Sequence, residues 1–254
     1  MKALLLAAGY ATRLRPLTEE TPKPLLPVAE RPMVDWILDQ IAECPDFDGV
    51  HLVTNARYAP AFEAWAAERD VVVHDDGTTS NEGRLGAIGD LKLALDRGGL
   101  ADGPLLVIAA DNLFDFSLCD FVAFWRAKTV GSAIAVHRLP DTSLAHLYGV
   151  VELDASDRIV ALEEKPEQPK SNLVSTATYL FSAEHLALID GYLADGNPAD
   201  PPGRFLGWLV EHEPVYGFEF TGAWLDIGEL SQLEQADNRY RAQSGLPSRA
   251  VYAP

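Results

Sequence analysis

The first half of the chain alternates short apolar runs with segments of helical periodicity. KALLLAA (2–8) is an apolar run closed by Gly9, the pattern of a buried core strand. A polar loop follows to Pro32. Val34, Ile37, Leu38 and Ile41 then recur at spacings of three and four, which predicts a helix with Pro32 near its first position. GVHLVTN (49–55) predicts a second strand, 58–69 a helix opened by Pro60, VVVH (71–74) a third strand and LLVIAA (105–110) a fourth, with Asp111 at its carboxyl end. Strands alternating with helices indicate an α/β fold with a mainly parallel sheet flanked by helices. The second half reads differently. SAIAVHR (132–138), GVVELD (149–154), RIVALEE (158–164) and VSTATYLFS (174–182) predict longer strands with hairpin-like connections, hence antiparallel additions to the sheet. Helical patterns return at 183–190, 204–212 and 229–243. PADPPG (198–203) is a loop between patterned segments.

Length and charge narrow this picture. A chain of 254 residues fits one domain spanning 1–254, with a first half at 1–130, a second half at 131–228, and a C-terminal helix and tail at 229–254. The chain carries 20 Lys+Arg against 38 Asp+Glu, a formal net charge of −18. That balance argues against a nucleic-acid partner, which calls for a basic patch, and against an anionic membrane surface. No apolar run reaches the ~18 residues of a membrane span, and the stretch 3–8 is too short for the core of a signal peptide. Cys44 and Cys119 are the only cysteines, so no disulfide framework is expected and a reducing cytoplasm fits best. The six histidines form no H-x-x-x-H pair, which leaves a zinc site without support.

In open α/β sheets ligands gather beyond the carboxyl ends of the strands. Two polar loops, 9–22 and 75–83, lie there together with Asp111. The segment LLLAAGYATRLRPLTEETPKPLLPVAERP (4–32) combines small residues, the cations Arg13, Arg15 and Lys23, and the stiffening prolines 16, 22, 24 and 27. Accessible backbone amides with Arg and Lys beside them make a phosphate-binding device. The loop has neither the G-x-x-x-x-G-K-[ST] pattern of a P-loop nor the G-x-G-x-x-G of a dinucleotide site.

The pattern G-x-[GA]-T-R-L-x-P-L-T followed by P-K-P-L-L-P-V resembles the signature of the sugar-1-phosphate nucleotidyltransferases, and within them most the glucose-1-phosphate thymidylyltransferases. VIAADNLF (107–114), YGVVELD (148–154), LEEKPEQPKSN (162–172) and GAWLDIG (222–228) extend the resemblance over most of the chain. It implies a Rossmann-like, GT-A-like nucleotidyltransferase fold, with 1–130 mainly the nucleotide-binding half and 131–228 mainly the sugar-phosphate-binding half. It also implies transfer of a nucleoside monophosphate from an NTP to a sugar 1-phosphate, with release of pyrophosphate. Small-molecule substrates would be the partners, and a homo-oligomer is left open. Leu6, Ala7, Ala8, Gly9, Ala11, Thr12, Arg13, Thr79, Asn81 and Gly86 would bind the nucleotide, and Arg13 and Lys23 would act on the phosphates. Asp111 and Asp226 would hold Mg²⁺. Asn112, Gly149, Glu164, Lys165, Thr176 and Trp224 would bind the sugar phosphate. Each acid has a plainer reading: Asp111 and Asp226 could cap helices, and Glu164–Lys165 could be a surface ion pair.

The sequence also departs from the family pattern. Ala11, Ala110 and Ala177 stand where relatives carry glycine, and alanine calls for negative φ at all three. In the loop HDDGTTSNEGRLGAIGDL (74–91), Thr78, Thr79, Ser80 and Asn81 replace the glutamine and proline of pyrimidine-specific relatives, so the base stays open. The 254 residues contain no hexapeptide repeats, which sets them apart from bifunctional relatives with an appended acetyltransferase. They also show no C-terminal allosteric extension of the kind some tetrameric relatives carry. Three other readings compete: a cytidylyltransferase for a non-sugar phosphate such as phosphocholine, a silent homologue that only binds nucleotide-sugar, and a GT-A glycosyltransferase. The last would want a D-x-D motif where Asp111-Asn112-Leu113 stands.

Overall fold

A computed structural model describes all 254 residues. Strand β1 (Lys2–Leu6) is apolar on both faces because both faces are covered. Two two-residue strands, β2 (Pro27–Val28) and β3 (Arg31–Pro32), form a small ribbon ahead of helix α1 (Met33–Glu43). Then come β4 (Val50–Thr54), α2 (Ala59–Ala66), β5 (Val71–Asp75), α3 (Ala87–Gly98), β6 (Leu105–Ala109), β7 (Asn112–Phe114) and α4 (Leu118–Ala127). The second half adds β8 (Ser132–Arg138), β9 (Gly149–Leu153), β10 (Ile159–Glu164), β11 (Leu173–Phe181), α5 (Ala183–Leu186), α6 (Leu188–Ala194), α7 (Pro202–His212), β12 (Val215–Phe220), β13 (Trp224–Asp226) and α8 (Leu230–Gln243).

The central sheet runs β10-β9-β11-β6-β1-β4-β5, with β8 joined to β11 and β12 joined to β8. β6, β1, β4 and β5 are parallel neighbours, and β11 pairs antiparallel with β6, which is where the second half is grafted on. Alternate residues of β1 enter opposite cores. Ala3 and Leu5 pack with Ile37, Ile41, Phe62, Phe121 and Leu233 on the side of α1, α2, α4 and α8. Leu4 packs with Ile88, Leu91, Leu95 and Leu209 on the side of α3, α6 and α7. No helix is long and apolar enough to cross a membrane.

The four strands predicted for the second half pair antiparallel as expected, and one unpredicted strand, β12, runs parallel to β8 from Val215↔Ser132 to Phe220↔His137. The helix expected at 183–190 is two short helices, α5 and α6. The cysteines, 75 residues apart, form a disulfide between the residue that closes α1 and the first turn of α4, with a Cα–Cα distance of 5.3 Å. A separation that long leaves no local pattern to read, so this single bridge was not predicted, and one bridge is not a disulfide framework.

Candidate active site

At the carboxyl ends of β1 and β6 lies a cleft of about 620 Å³. Its lining includes Leu6, Ala8, Gly9, Ala11, Thr12, Arg13, Lys23, Asn81, Gly86, Asp111 and Asp226, residues scattered over most of the chain. Ala7 borders an adjoining recess shared with Lys23 and Asp111. A larger cavity of about 950 Å³ opens at the opposite end of the strands, between Pro104, Gly131, His185 and Pro214. It contains none of the phosphate-loop residues, so chemistry and not size selects the smaller cleft.

The loop after β1 is held from behind. Asn55 Nδ2 donates to Ala8 O at 2.8 Å, Thr18 Oγ1 donates to Ala11 O at 2.8 Å, and Tyr58 Oη donates to Thr18 O at 2.5 Å. The cleft side of the loop stays open, since a Cβ on Gly9 would meet nothing within 4 Å. Ala11 adopts φ 44° at the head of a short 3₁₀ turn, Thr12–Leu14, that carries Arg13. The Arg13 guanidinium reaches to within 3.8 Å of where a Cβ on Gly228 would stand. Arg15 is exposed and does not line the cleft.

Lys23 starts a second 3₁₀ turn, Lys23–Leu25. Its ammonium donates to Asp111 Oδ2 and to Ile227 O. Asp111 sits in the turn between β6 and β7, and β7 pairs with β13 so that Asp226 lies opposite Asn112. Ile227 N donates to Asp111 O at 3.2 Å, which locks the two acidic segments together across a gap of more than a hundred residues. Neither aspartate caps a helix. Glu229 caps α8 through a reciprocal box with Gln232. Burial and the neighbouring Asp111 charge push Asp226 up to about 6, while Lys23, Lys165 and Arg13 pull it back. Two repelling carboxylates beside the loop after β1 are residues that could hold a divalent cation.

Asn112 braces this centre. Its Nδ2 donates to Asp111 Oδ1 at 2.9 Å and its Oδ1 accepts from Trp224 Nε1 at 2.7 Å, so both residues hold the acid in place. Thr176 is buried and its hydroxyl donates to Ala135 O at 2.8 Å, inside the sheet. Glu164 lies between two glycines. A Cβ on Gly149 would fall 3.3 Å from Glu164 Oε2, and one on Gly203 would fall 2.7 Å from Glu164 Cδ. Burial raises the Glu164 pKa, opposed by the charges of Lys165 and Arg204. Lys165 is exposed and stands 3.8 Å from Glu164 Oε1, a loose pair. Thr79 is exposed and outside the cleft lining.

The sequence expected negative φ at three family glycine positions, and two of the three are corrected. Ala11 (φ 44°) and Ala177 (φ 55°) are both left-handed, while Ala110 is not. Ala177 falls at the register shift between Ser175 and Tyr179, where β11 bulges away from β8, and its methyl lines the cleft.

Sequence reasoning missed Tyr10, Arg84, Asp90, Tyr179, Asp200 and Pro202, all of which line the cleft. Arg84 Nη2 pairs with Asp200 Oδ2 at 3.1 Å, linking the loop before α3 to the loop before α7. Gly86 (φ 80°) is packed under that link, where a Cβ would come within 2.7 Å of Asp200 Cβ. No local pattern announces a pair 116 residues apart. Asp90 carried the one readable signal, an acid on the core-facing side of a helix.

A mainly parallel sheet with Arg13, Lys23, Asp111 and Asp226 gathered at the mouth of its carboxyl edge defines an α/β protein with one candidate site at that edge. The chain belongs to the Nucleotidyl transferase family, which it matches over residues 2–243. It is 30% identical to the UTP–glucose-1-phosphate uridylyltransferase of Synechocystis sp. over 252 residues, covering 93% of this chain and 62% of that one. It is 28% identical to the bifunctional protein GlmU of Methanocaldococcus jannaschii over 240 residues, covering 94% and 54%. The chain thus spans 54–62% of the length of these curated relatives. Its fold is shared with a Bacillus anthracis structure provisionally named a glucose-1-phosphate thymidylyltransferase, at a TM-score of 0.80, 23% identity and 95% coverage of each chain.

Proposed function

We propose that the protein transfers a nucleoside monophosphate from an NTP to a sugar 1-phosphate, releasing pyrophosphate and forming a nucleotide-sugar. The observation that carries this reading is the meeting of Arg13, Lys23, Asp111 and Asp226 in one cleft. The family and the relatives, one named a glucose-1-phosphate uridylyltransferase, support it. A sugar-phosphate oxygen forms the new bond to the α-phosphorus, and the bond from that phosphorus to the bridging oxygen breaks, so pyrophosphate leaves with the electron pair. The nucleophile is already an anion and no general base is required. Bringing two anions together is the obstacle, and positioning with electrostatic stabilisation answers it.

Lys23 spends two of its three ammonium hydrogens on Asp111 and Ile227 O, which leaves the third for a phosphate bound in the cleft it lines. Arg13, on its short turn, offers a two-pronged donor to the leaving phosphates. Asp111 and Asp226 would hold Mg²⁺, which when bound neutralises phosphate oxygens. Glu164, wedged between Gly149 and Gly203, accepts sugar hydroxyls.

The test is a matrix of ATP, GTP, CTP, UTP and dTTP against a panel of sugar 1-phosphates, scored by pyrophosphate release with Mg²⁺. At least one productive pair is expected. Turnover only with phosphocholine or another non-sugar phosphate would instead favour the cytidylyltransferase reading. Nucleotide-sugar binding without any turnover would favour a regulatory homologue.

A further inference from the structure

The wall of the cleft formed by residues 81–90 is unlike the phosphate end. Its one cation, Arg84, is tied to Asp200, and the other ionisable side chain of this segment that lines the cleft is Asp90, in the first turn of α3. Asp90 is only 7% exposed and makes no side-chain hydrogen bond to a fixed donor. Its buried oxygen, Oδ1, has no such partner, and neither has Oδ2 of Asp76, which lies just beyond β5. Asp76 Oδ1 is already taken by Thr78 N at 2.6 Å. Two buried acidic oxygens left over together satisfy one another only with a proton between them. Burial and the Asp76 carboxylate, to which Asp90 is hydrogen-bonded, hold that proton by pushing Asp90 up to about 8, with Asp200 adding to the effect.

The two oxygens of Asp90 therefore do different work. Oδ1 is committed inward through the shared proton. Oδ2 is neither hydrogen-bonded nor among the buried orphan atoms, and it is the oxygen Asp90 presents as a lining residue of the cleft. With its proton engaged by Asp76, Asp90 can accept a hydrogen bond from a ligand but cannot donate one. Guanine carries a ring N–H on its pairing edge, and so do uracil and thymine. Adenine and cytosine place a ring lone pair there instead, which would face the Asp90 lone pair.

We infer that Asp90, oriented by Asp76, is the base-reading residue of this cleft and selects lactam nucleobases, guanine, uracil or thymine, through their ring N–H. The inference rests on the nucleotidyl-transfer reading above for the placement of a nucleotide in the cleft. It adds the class of base and the residue that chooses it. A site built to accept a particular N–H rejects analogues that lack it far more strongly than an apolar pocket rejects a wrong shape.

Mononucleotide binding measured by calorimetry tests this without turnover. Wild type should bind at least one of GMP, UMP or dTMP about 10-fold or more tightly than AMP and CMP. Asp90→Asn can donate its amide N–H to Asp76 and keep its carbonyl oxygen toward the cleft, so it should retain the preference. Asp90→Ala should bring all five within about 3-fold. AMP or CMP binding as tightly as the best lactam nucleotide in wild type overturns the inference, and so does loss of the preference in Asp90→Asn. A pyrophosphate-release assay on the same proteins separates the two readings. Base preference that follows Asp90 with no sugar 1-phosphate accepted refutes the transferase reading alone. Turnover whose base preference survives Asp90→Ala refutes the base reader alone.

Discussion

Gly203→Ala is the sharpest probe of the sugar end. Gly203 lies in the first turn of α7, and its missing side chain leaves the space that the Glu164 carboxylate fills. An added methyl would overlap Glu164 Oε2 outright and sit 2.7 Å from Glu164 Cδ and 3.3 Å from Glu164 Cβ. Carbon atoms settle at about 3.5–4.0 Å, so the carboxylate must retreat by at least about 1 Å. Gly149 packs on the other side of the same carboxylate, where a Cβ would stand 3.3 Å from Oε2, so the retreat cannot keep the original orientation. The atoms that clash are at the end of a flexible side chain, and the helix itself need not move. A 1 Å shift stretches a hydrogen bond of about 2.7 Å beyond bonding range. A hydrogen bond to a charged group contributes about 1.5–3 kcal/mol. At about 1.4 kcal/mol per decade, the KM for sugar 1-phosphate should rise roughly 10- to 150-fold. The KM for the nucleotide should stay within about 2-fold, because Glu164 is not among the residues that line the cleft holding Arg13, Lys23 and Asp111. Initial rates with each substrate varied at saturating partner separate the two constants, and a thermal melt checks the fold. Shortening the acid in Gly203→Ala/Glu164→Asp should recover part of the loss. An unchanged sugar-phosphate KM in a folded Gly203→Ala protein would refute the placement of Glu164 on the sugar.

Three further outcomes are expected. Lys23→Ala and Asp111→Ala should each lower kcat by about 10²–10³ or more, the range for one lost transition-state contact; near wild-type turnover in a folded variant contradicts the phosphate site. Ala11→Gly and Ala177→Gly should each stabilise the fold by up to ~1 kcal/mol, since a left-handed alanine costs about 1–2 kcal/mol and glycine's extra chain entropy offsets part of that; a lower denaturation midpoint in urea argues against the strain. His51 and His74 stack with Nδ1 of His51 2.9 Å from Nε2 of His74, and burial lowers both pKa values from 6.5. Below about pH 6.5 the unfolded chain takes up protons that this pair refuses, so stability should fall as pH drops from 7 to 5, and His51→Phe/His74→Phe should flatten that slope in urea titrations. An equally steep loss in the double variant shows that other groups carry it.

The parallel half of the fold was legible because each of its strands is a short apolar run covered on both faces, and each of its first helices shows one apolar stripe. The misses have local causes. β12 (VYGFEF) is interrupted by Gly217, where a Cβ would meet Leu153 at 2.7 Å, so the residue that makes the strand fit also masks it. β7 and β13 are three residues each and exist only through each other. α4 carries its own signal, Leu118, Phe121 and Val122 behind the cap Ser117, and it was absent from the elements predicted above although its pattern is as plain as that of α1.

The same contrast explains the site. Arg13 and Lys23 were readable because one loop supplies both. Asp111 was readable from its strand end, but nothing local links it to Asp226, and only the resemblance joined them. Motif transfer also misplaced emphasis. Asn112 and Trp224 hold Asp111 rather than point into the cleft, and Thr176 spends its hydroxyl on Ala135 O. Asp90 and Asp76 were hidden for the opposite reason. In a chain of net charge −18, two more acids draw little notice, and apart from the core-facing position of Asp90 in its helix neither stands out in isolation. Their meaning comes from burial, which withdraws water from both and leaves a single proton to satisfy them. Acidity therefore plays two roles in this molecule. On the surface it is solvated charge. At the cleft it is rationed between two centres, with Asp111 and Asp226 beside the Lys23 ammonium at one end and Asp76 and Asp90 holding a proton at the other. Each centre is defined by the positive charge that offsets two neighbouring carboxylates.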